Sequence, residues 1–77
     1  MKVRRTIEKE VPRLGQKIKQ AREADDRSLE AICSEVGISR VYWYDIESER
    51  VRSALPEETL RKIEKALGVD LGVKFND

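Results

Sequence analysis

The chain has 77 residues, a formal net charge of +1 and no histidine, and 40% of its side chains are charged. This length allows one domain whose core is close to the lower limit for independent folding. A single cysteine excludes an internal disulfide, and without histidine or a metal-ligand cluster we expect neither an enzyme nor a cofactor or bound metal. No apolar run reaches the roughly 18 to 20 residues of a membrane span, and no signal peptide is evident. We therefore expect a cytoplasmic protein without a membrane partner.

The N-terminal segment, residues 1–11, carries Val3, Ile7 and Val11 on odd positions between charged side chains. This spacing indicates a short strand with an irregular apolar face. A spacing of four would also suit a helix, but Pro12 disfavours its continuation. We favour a strand and keep a flexible basic arm as the alternative.

Apolar side chains recur every three to four positions along residues 12–68, which predicts a helical core. The first helix is expected over residues 13–24, opened by Pro12, and the last from Pro56 to Gly68. Proline suits the first helical position because its φ is already helical and its missing N–H needs no partner. Glycine suits the left-handed position that ends a helix. The apolar stripes of these two helices are Leu14, Ile18 and Ala21, and Leu60, Ile63 and Leu67.

Residues 28–48 are predicted to form two short helices joined by a tight turn. Ser28 and Ser39 each precede a helical pattern, where a hydroxyl can accept a hydrogen bond from an unpaired backbone N–H. Gly37 follows the last apolar residue of the first helix. The two apolar stripes meet only if the helices cross steeply with small residues at the contact, and Cys33 and Ala31 are small enough to allow it. We expect Cys33 to be a packing residue. This is the arrangement of a helix-turn-helix motif.

The second helix of the motif, which follows Ser39, has two distinct faces at 100° per residue. Trp43 and Ile46 turn toward the core, and Glu47 lies close to Trp43. The residues of the outward face and its flanks are Arg40, Val41, Tyr42, Tyr44 and Asp45. Apolar and aromatic side chains on an outward face indicate a contact surface. The alternative is that the tyrosine rings pack on neighbouring loops.

The C-terminal segment changes from helical to alternating periodicity. Val69, Leu71, Val73 and Phe75 alternate with polar residues and glycine, which predicts a strand within residues 69–77. A lone strand is unstable and needs a partner. The candidates are the N-terminal segment of the same chain and the corresponding segment of a second molecule.

Four segments combine a small residue, a glycine and apolar anchors at a distinctive spacing. They are LGQKIKQAR at 14–22, SLEAICSEVGIS at 28–39, IE at 46–47 and ETLRKIEKALGV at 58–69. Together they resemble the Cro and phage-repressor (Xre-type) helix-turn-helix family. The resemblance implies a single domain over residues 1–77 that is mostly α. We expect a four-helix repressor-like helix-turn-helix domain with short N- and C-terminal β-strands.

In such domains the second helix of the motif enters the major groove of DNA. The resemblance therefore implies DNA contacts by Ser39, Arg40, Val41, Tyr44 and Asp45, and Tyr42 on the flank completes the predicted site. It also implies that the amides after Ser28 hold a phosphate and that Arg22 and Glu47 form a largely buried ion pair. Arg50 and Arg52 in the following loop are predicted phosphate clamps. Weaker basic candidates, for which ordinary solvated cations are the alternative, are Lys2, Arg4, Arg5 and Lys17.

These expectations favour a sequence-specific regulator that binds double-stranded DNA as a homodimer. The C-terminal strand is the candidate dimer contact, either directly or by completing a sheet with the N-terminal segment. No small-molecule ligand is expected. The net charge of +1 means that a positive face must come from the distribution of charge and not from its total. The alternative is a protein-interaction module on the same scaffold, such as an antitoxin-like or adaptor protein, which the outward-facing apolar side chains would suit.

Overall fold

A computed structural model of the protein describes residues 1–75; Asn76 and Asp77, which end the predicted C-terminal strand, lie outside the described residues. The elements in chain order are β1 (Lys2–Arg4), β2 (Glu8–Glu10), α1 (Leu14–Glu23), α2 (Leu29–Val36), α3 (Arg40–Glu47), β3 (Leu55–Pro56) and α4 (Glu57–Leu67). The prediction of a mostly α domain with four helices and short strands is confirmed. Within residues 1–75, no helix combines the length and apolarity that crossing a bilayer requires.

Local side-chain chemistry sets the ends of the two motif helices. The Ser28 hydroxyl accepts a hydrogen bond from the Ala31 amide at 3.1 Å, and the Ser39 hydroxyl accepts one from the Tyr42 amide at 3.0 Å. Both predicted N-terminal caps are therefore present. Gly37 ends α2 in the left-handed conformation, with φ 86°, as its position after the apolar stripe predicts.

Two helix starts differ from the prediction. Pro56 is not the first residue of α4 but its N-terminal cap, with an extended ψ of 138°, because it also pairs with Arg4 in the sheet. Pro12 does not open α1 directly, because Arg13 intervenes in the left-handed conformation with φ 60°. In both places the proline lies just outside the helix instead of on its first turn.

The N-terminal segment is a hairpin and not one strand. β1 is the central strand of a three-stranded sheet, antiparallel to β2 and parallel to β3. Val3 is fully buried against the core, whereas Ile7 is exposed because it lies in the bend between β1 and β2. The basic-arm alternative is also wrong, because backbone pairing holds the segment on both sides.

The predicted C-terminal strand is wrong for residues 69–75, which are in neither a helix nor a strand. The alternation correctly places Leu71 and Val73 in the core, but side chains satisfy the backbone instead of a neighbouring strand. The Glu64 carboxylate accepts a hydrogen bond from the Leu71 amide at 2.8 Å, and Arg61 Nη2 donates to the Val73 carbonyl at 2.7 Å. Between these two contacts Gly72 has φ 77°, which interrupts an extended chain.

The core lies between the four helices and one face of the sheet. Its largest fully buried side chain is Trp43, as the helical wheel predicts. The other large side chains that are fully buried are Leu14, Ile18, Ile32, Ile46, Leu55, Leu60, Ile63, Val3 and Val73. Where α1 crosses α3, Gly15 lies against the backbone of α3, since a Cβ there would collide with the Glu47 carbonyl oxygen and would lie 2.7 Å from that of Ile46. The absence of a side chain at this position lets the two helices meet.

An ion-pair cluster ties the hairpin to α4. The Arg5 guanidinium donates to both carboxylate oxygens of Glu57, at 2.7 and 2.8 Å, and lies 4.8 Å from the centre of the Phe75 ring. Arg61 donates to the same carboxylate from the next turn of α4. The hydrogen bonds from Arg5, with a further contribution from Arg61, lower the pKa of Glu57 to about 2.

We expect the Glu57→Gln substitution to reduce stability at neutral pH and to remove a part of the acid sensitivity. A depressed folded-state pKa stabilises the protein above the unfolded-state value of about 4.3, and this contribution is lost as the pH falls toward 2. The melting temperature of Glu57→Gln should lie below that of the wild type at about pH 7, and this difference should disappear as the pH falls from about 4.3 toward 2. Glu58→Gln, which changes an exposed neighbour in the same turn, should follow the wild type. A difference in melting temperature between Glu57→Gln and the wild type that stays the same down to about pH 2 would contradict the prediction.

Candidate nucleic-acid interface

The outward face of α3 is an open stripe of side chains. Val41 and Tyr44 are 72% and 54% exposed, and Arg40 is also exposed, whereas Trp43 on the opposite face is fully buried. The orientation predicted from the helical wheel is confirmed for these four residues. Large apolar side chains at such exposure mark a surface available to a partner.

Tyr42 and Asp45, on the same helix, are half-buried. The Tyr42 ring packs against the core, and this burial raises the pKa of its phenol. The alternative interpretation of the tyrosines, as rings that pack on neighbouring segments, therefore fits Tyr42 better than Tyr44. Within residues 1–75, the Asp45 carboxylate forms no ion pair.

The Glu47 carboxylate fixes the rotation of α3 against α1. Arg22 Nε lies 2.5 Å from Glu47 Oε2 and Arg22 Nη2 lies 3.2 Å from Glu47 Oε1. The Trp43 indole N–H donates to Glu47 Oε2 at 2.6 Å. The Glu47 side chain is 6% exposed and that of Arg22 is 21% exposed. The pair that the resemblance implies is thus in contact, and it holds one face of α3 inward so that the other faces solvent.

A tight turn at the end of α3 sets the direction of the following loop. Glu49 has a left-handed φ of 59°, its amide donates to the Ile46 carbonyl at 3.1 Å, and the Arg50 amide donates to the Asp45 carbonyl at 2.7 Å. The Glu49 carboxylate accepts a hydrogen bond from the Gly15 amide at 3.1 Å. The Glu49 side chain is therefore bound to the start of α1. After the turn, the loop continues from Arg50.

The loop arginines lie beside the exposed stripe in a surface cavity of about 470 Å³. The residues that line it are Arg4, Tyr42, Asp45, Arg50, Val51, Arg52, Ser53, Ala54 and Pro56. A second cavity of about 390 Å³ lies between α1 and α3. Its lining residues are Lys19, Arg22, Tyr44, Glu47, Ser48 and Arg50. Arg50 borders both, so the structure brings the predicted clamp residues together with the outward side of α3.

The remaining predicted residues separate into groups. Ser28 and Ser39 cap their helices. The Ser28 hydroxyl accepts a hydrogen bond from the Ala31 amide, and the two amides that precede it in α2 have no hydrogen-bond partner within the helix. Lys17 lines a different cavity of about 210 Å³ on α1. Arg5 belongs to the ion-pair cluster that joins the hairpin to α4 and is not on the candidate face.

Lys19 is a basic residue of this surface that the sequence analysis did not select. It lines the cavity between α1 and α3 together with Arg22 and Tyr44. The signal was present, because Lys19 lies three residues before Arg22 and therefore on the same side of the helix. A search of α1 for basic residues three or four positions from Arg22 would have identified it.

Cys33 is buried on the core side of α2, and burial raises the pKa of its thiol. A buried thiol with a raised pKa is a poor nucleophile, so its position fits packing. Within residues 1–75, no group of three or more histidine, cysteine, aspartate or glutamate side chains is placed to hold a metal ion.

Comparison with models of known protein families gives a match described as a helix-turn-helix domain, over residues 13–74. The matched region spans α1 to α4 and most of the C-terminal segment, and it begins after the N-terminal hairpin. No curated protein and no solved structure is similar enough to match.

Proposed function

The chain belongs to the helix-turn-helix domain family, and from this membership we propose that it is a sequence-specific, double-stranded DNA-binding transcriptional regulator that acts as a homodimer in the cytoplasm. The observation that carries the proposal is the division of α3 into two faces. Trp43 and Glu47 anchor one face to the core, and Val41 and Tyr44 on the other face are exposed to solvent. A helix held in this way can enter a major groove without rearrangement.

Three side chains of α3 each have a use in the groove. Arg40 can fork onto a guanine edge or grip a phosphate, Val41 can contact a thymine methyl group, and Asp45 can accept from a cytosine amino group. The absence of an ion pair on Asp45 within residues 1–75 supports this assignment. Arg50 and Arg52 then hold phosphates beside the groove, and Ser28 begins the helix whose amides hold another.

The short length of α3 favours dimerisation. α3 has eight residues and is about 12 Å long, so one copy covers only part of a specific site. Paired half-sites lie about 34 Å apart, which is comparable to the 34 Å longest dimension of the described protomer. The predicted dimer contact, the C-terminal strand, is not supported, because Leu71 and Val73 are buried in the protomer's own core.

A protein-interaction role remains the second candidate, and one observation favours it. Val41 and Tyr44 are the kind of exposed apolar pair that contacts protein, and the net charge of +1 gives little long-range attraction to DNA. The two candidates make opposite predictions for salt dependence, so one titration separates them.

We expect binding to a random-sequence duplex to weaken steeply as salt rises. About four to six phosphate contacts per protomer would give a slope of log affinity against log salt of roughly −0.9 per contact. Arg50→Ala should weaken binding to all sequences alike and make the slope less negative by about 0.9 per bound protomer. Fluorescence anisotropy of a labelled duplex over a salt series measures both quantities. Binding that is absent, or that does not respond to salt, would favour the protein-interaction role.

Val41→Ala provides the matched control on α3, because it removes an exposed contact without changing charge. We expect its salt slope on random duplex to equal that of the wild type. Selection of bound sequences from random DNA should show a changed preference at one base pair of the half-site, with the other positions retained. A uniform loss of binding together with loss of folded structure would mean that Val41 supports the fold and does not read a base.

A further inference from the structure

We propose that Arg4 of the N-terminal hairpin joins Arg50 and Arg52 in a site for a phosphate of the DNA backbone, so that the hairpin is part of the DNA interface. The inference rests on the proposed function and extends it beyond the matched helix-turn-helix region, which begins at residue 13. The chemistry required is the recognition of a phosphate group by a fixed set of guanidinium donors.

The first support is that two contacts hold Arg4 over the loop that follows α3. Its backbone pairs with Pro56 in the parallel contact between β1 and β3. Its Nη2 donates to the Ser53 hydroxyl at 2.8 Å, across the loop that carries Arg50 and Arg52. The guanidinium is therefore positioned beside the loop arginines and borders the same cavity of about 470 Å³.

The second support is that Arg4 retains free donors. An arginine has five N–H donors, and Ser53 takes one of them without neutralising the charge. The nearest carboxylate is that of Glu8, at 3.9 Å from Arg4 Nε, and both side chains are close to half exposed. A contact of this length in solvent contributes little. The neighbouring Arg5 differs, because its two hydrogen bonds to Glu57 commit it to the ion-pair cluster.

The third support is the charge of the cavity. Three arginines border it against one carboxylate, that of Asp45. Within residues 1–75, Arg50 and Arg52 form no ion pair, so their charges are available to a ligand. The Ser53 and Tyr42 hydroxyls add two groups that can donate to an oxygen. A phosphate offers only acceptors, so it matches this lining, and the position beside α3 points to a backbone phosphate next to the groove that α3 occupies.

The test compares Arg4→Gln with Lys62→Gln, in the full chain. Lys62 is an exposed cation on α4 that borders neither cavity at the candidate face, and it pairs only loosely with Glu58, at 3.6 Å. Loss of one phosphate contact per protomer should weaken random-duplex binding roughly eightfold at 0.1 M salt and make the salt slope less negative by about 0.9, both counted per bound protomer. Lys62→Gln should leave the slope unchanged, and Arg4→Lys should keep most of it, because a point charge can still reach a phosphate.

The possible results are distinguishable. If the wild type does not bind duplex, the proposed function and this inference both fail. If the wild type binds and Arg4→Gln matches Lys62→Gln, only this inference fails. Since Arg4→Gln could disturb the hairpin, the wild type labelled with ¹⁵N in its arginines gives a second measurement. The Arg4 Nε–H resonance should then shift with duplex along the same curve as those of Arg50 and Arg52, and an unmoved Arg4 resonance would overturn the proposal.

Inorganic phosphate, added at constant ionic strength, tests whether the site binds a free phosphate ion or a phosphate of the DNA backbone. We expect it to shift these resonances only weakly, without saturation, because one free anion lacks the register that the duplex supplies through α3. Saturation of the site by inorganic phosphate alone, in the low millimolar range, would assign the cavity to a free anion and overturn the DNA assignment.

Discussion

Arg22→Ala is expected to destabilise the protein by about 3–5 kcal/mol, the largest effect of any single charged side chain in the fold. The substitution leaves the Glu47 carboxylate with the Trp43 indole N–H as its remaining side-chain partner, at a site that is 6% exposed. A buried carboxylate without its counter-ion bears nearly the whole cost of desolvation. Because native domains are stable by only about 5–15 kcal/mol, a loss of this size would remove a large share of the free energy of unfolding.

Denaturant unfolding monitored by circular dichroism measures this loss, and two variants define its cause. Glu47→Gln keeps an acceptor for the Trp43 indole and leaves Arg22, which is 21% exposed and can reach water, so it should cost less than Arg22→Ala. Lys62→Ala breaks an exposed pair and should change stability by no more than about 1 kcal/mol. Equal losses for Arg22→Ala and Lys62→Ala would show that the pair between α1 and α3 behaves as a surface contact.

Gly15→Ala is expected to destabilise the protein by about 1–3 kcal/mol, although alanine is the better helix former by roughly 0.5–1 kcal/mol. The added Cβ would lie 2.7 Å from the Ile46 carbonyl oxygen and 2.8 Å from Glu49 Cγ. The nearest neighbours are backbone atoms of α3, so α1 and α3 must separate to admit it. Such a shift would also lengthen the contact between Arg22 and Glu47 and tilt the outward face.

Gly37→Ala serves as the comparison for this substitution. No atom lies within 4 Å of a Cβ built at Gly37, so its cost is limited to the left-handed backbone at φ 86°, about 1–2 kcal/mol. The two variants can therefore resemble each other in unfolding free energy, but only Gly15→Ala should alter near-ultraviolet circular dichroism from Trp43 in the folded protein. A wild-type Trp43 signal in a folded Gly15→Ala protein would contradict the steric argument.

The helical part of the fold was predictable because its signals are local. Ser28 and Ser39 begin helices, and Gly37 and Gly68 end them, through contacts within a few residues. A wheel of eight residues is enough to orient Trp43. The candidate surface on α3 follows from the same wheel. Which of its side chains contact bases stays a prediction, because base contacts depend on a partner.

The sheet and the C-terminal segment were not predictable because their determinants are distant in sequence. Val3 pairs with Lys9 inside the hairpin, but on the other side of β1 it pairs with Leu55, in a strand of two residues that has no periodicity to detect. Leu71 and Val73 alternate as a strand does, but alternation only reports which side chains face the core. The backbone conformation there depends on Arg61 and Glu64, whose hydrogen bonds replace strand pairing. Likewise, a glycine in a sequence does not reveal that another helix crosses at Gly15.

The candidate site also contains residues that could be assigned from local sequence and one that could not. Arg50 and Arg52 were assigned from their place after the motif, which is local information. Arg4 could be noted only as one of several cations, because its position beside the loop depends on pairing between β1 and β3. Lys19 could have been assigned from helix geometry alone.

The parallel pairing of β1 with β3 has a consequence for biosynthesis. Arg5 and Glu57 are 52 residues apart, so at about 5–20 residues per second a ribosome needs roughly 3 to 10 s to supply the second after the first. During that interval a two-stranded hairpin is at best marginally stable, and its inner strand has no neighbour on one side. The open edge is that of β1, where Lys2 and Arg4 are charged and exposed, and the outer strand reads Glu8, Lys9 and Glu10; charged edges of this kind discourage pairing with other nascent chains. The hairpin thus carries its own protection against aggregation until translation completes the sheet.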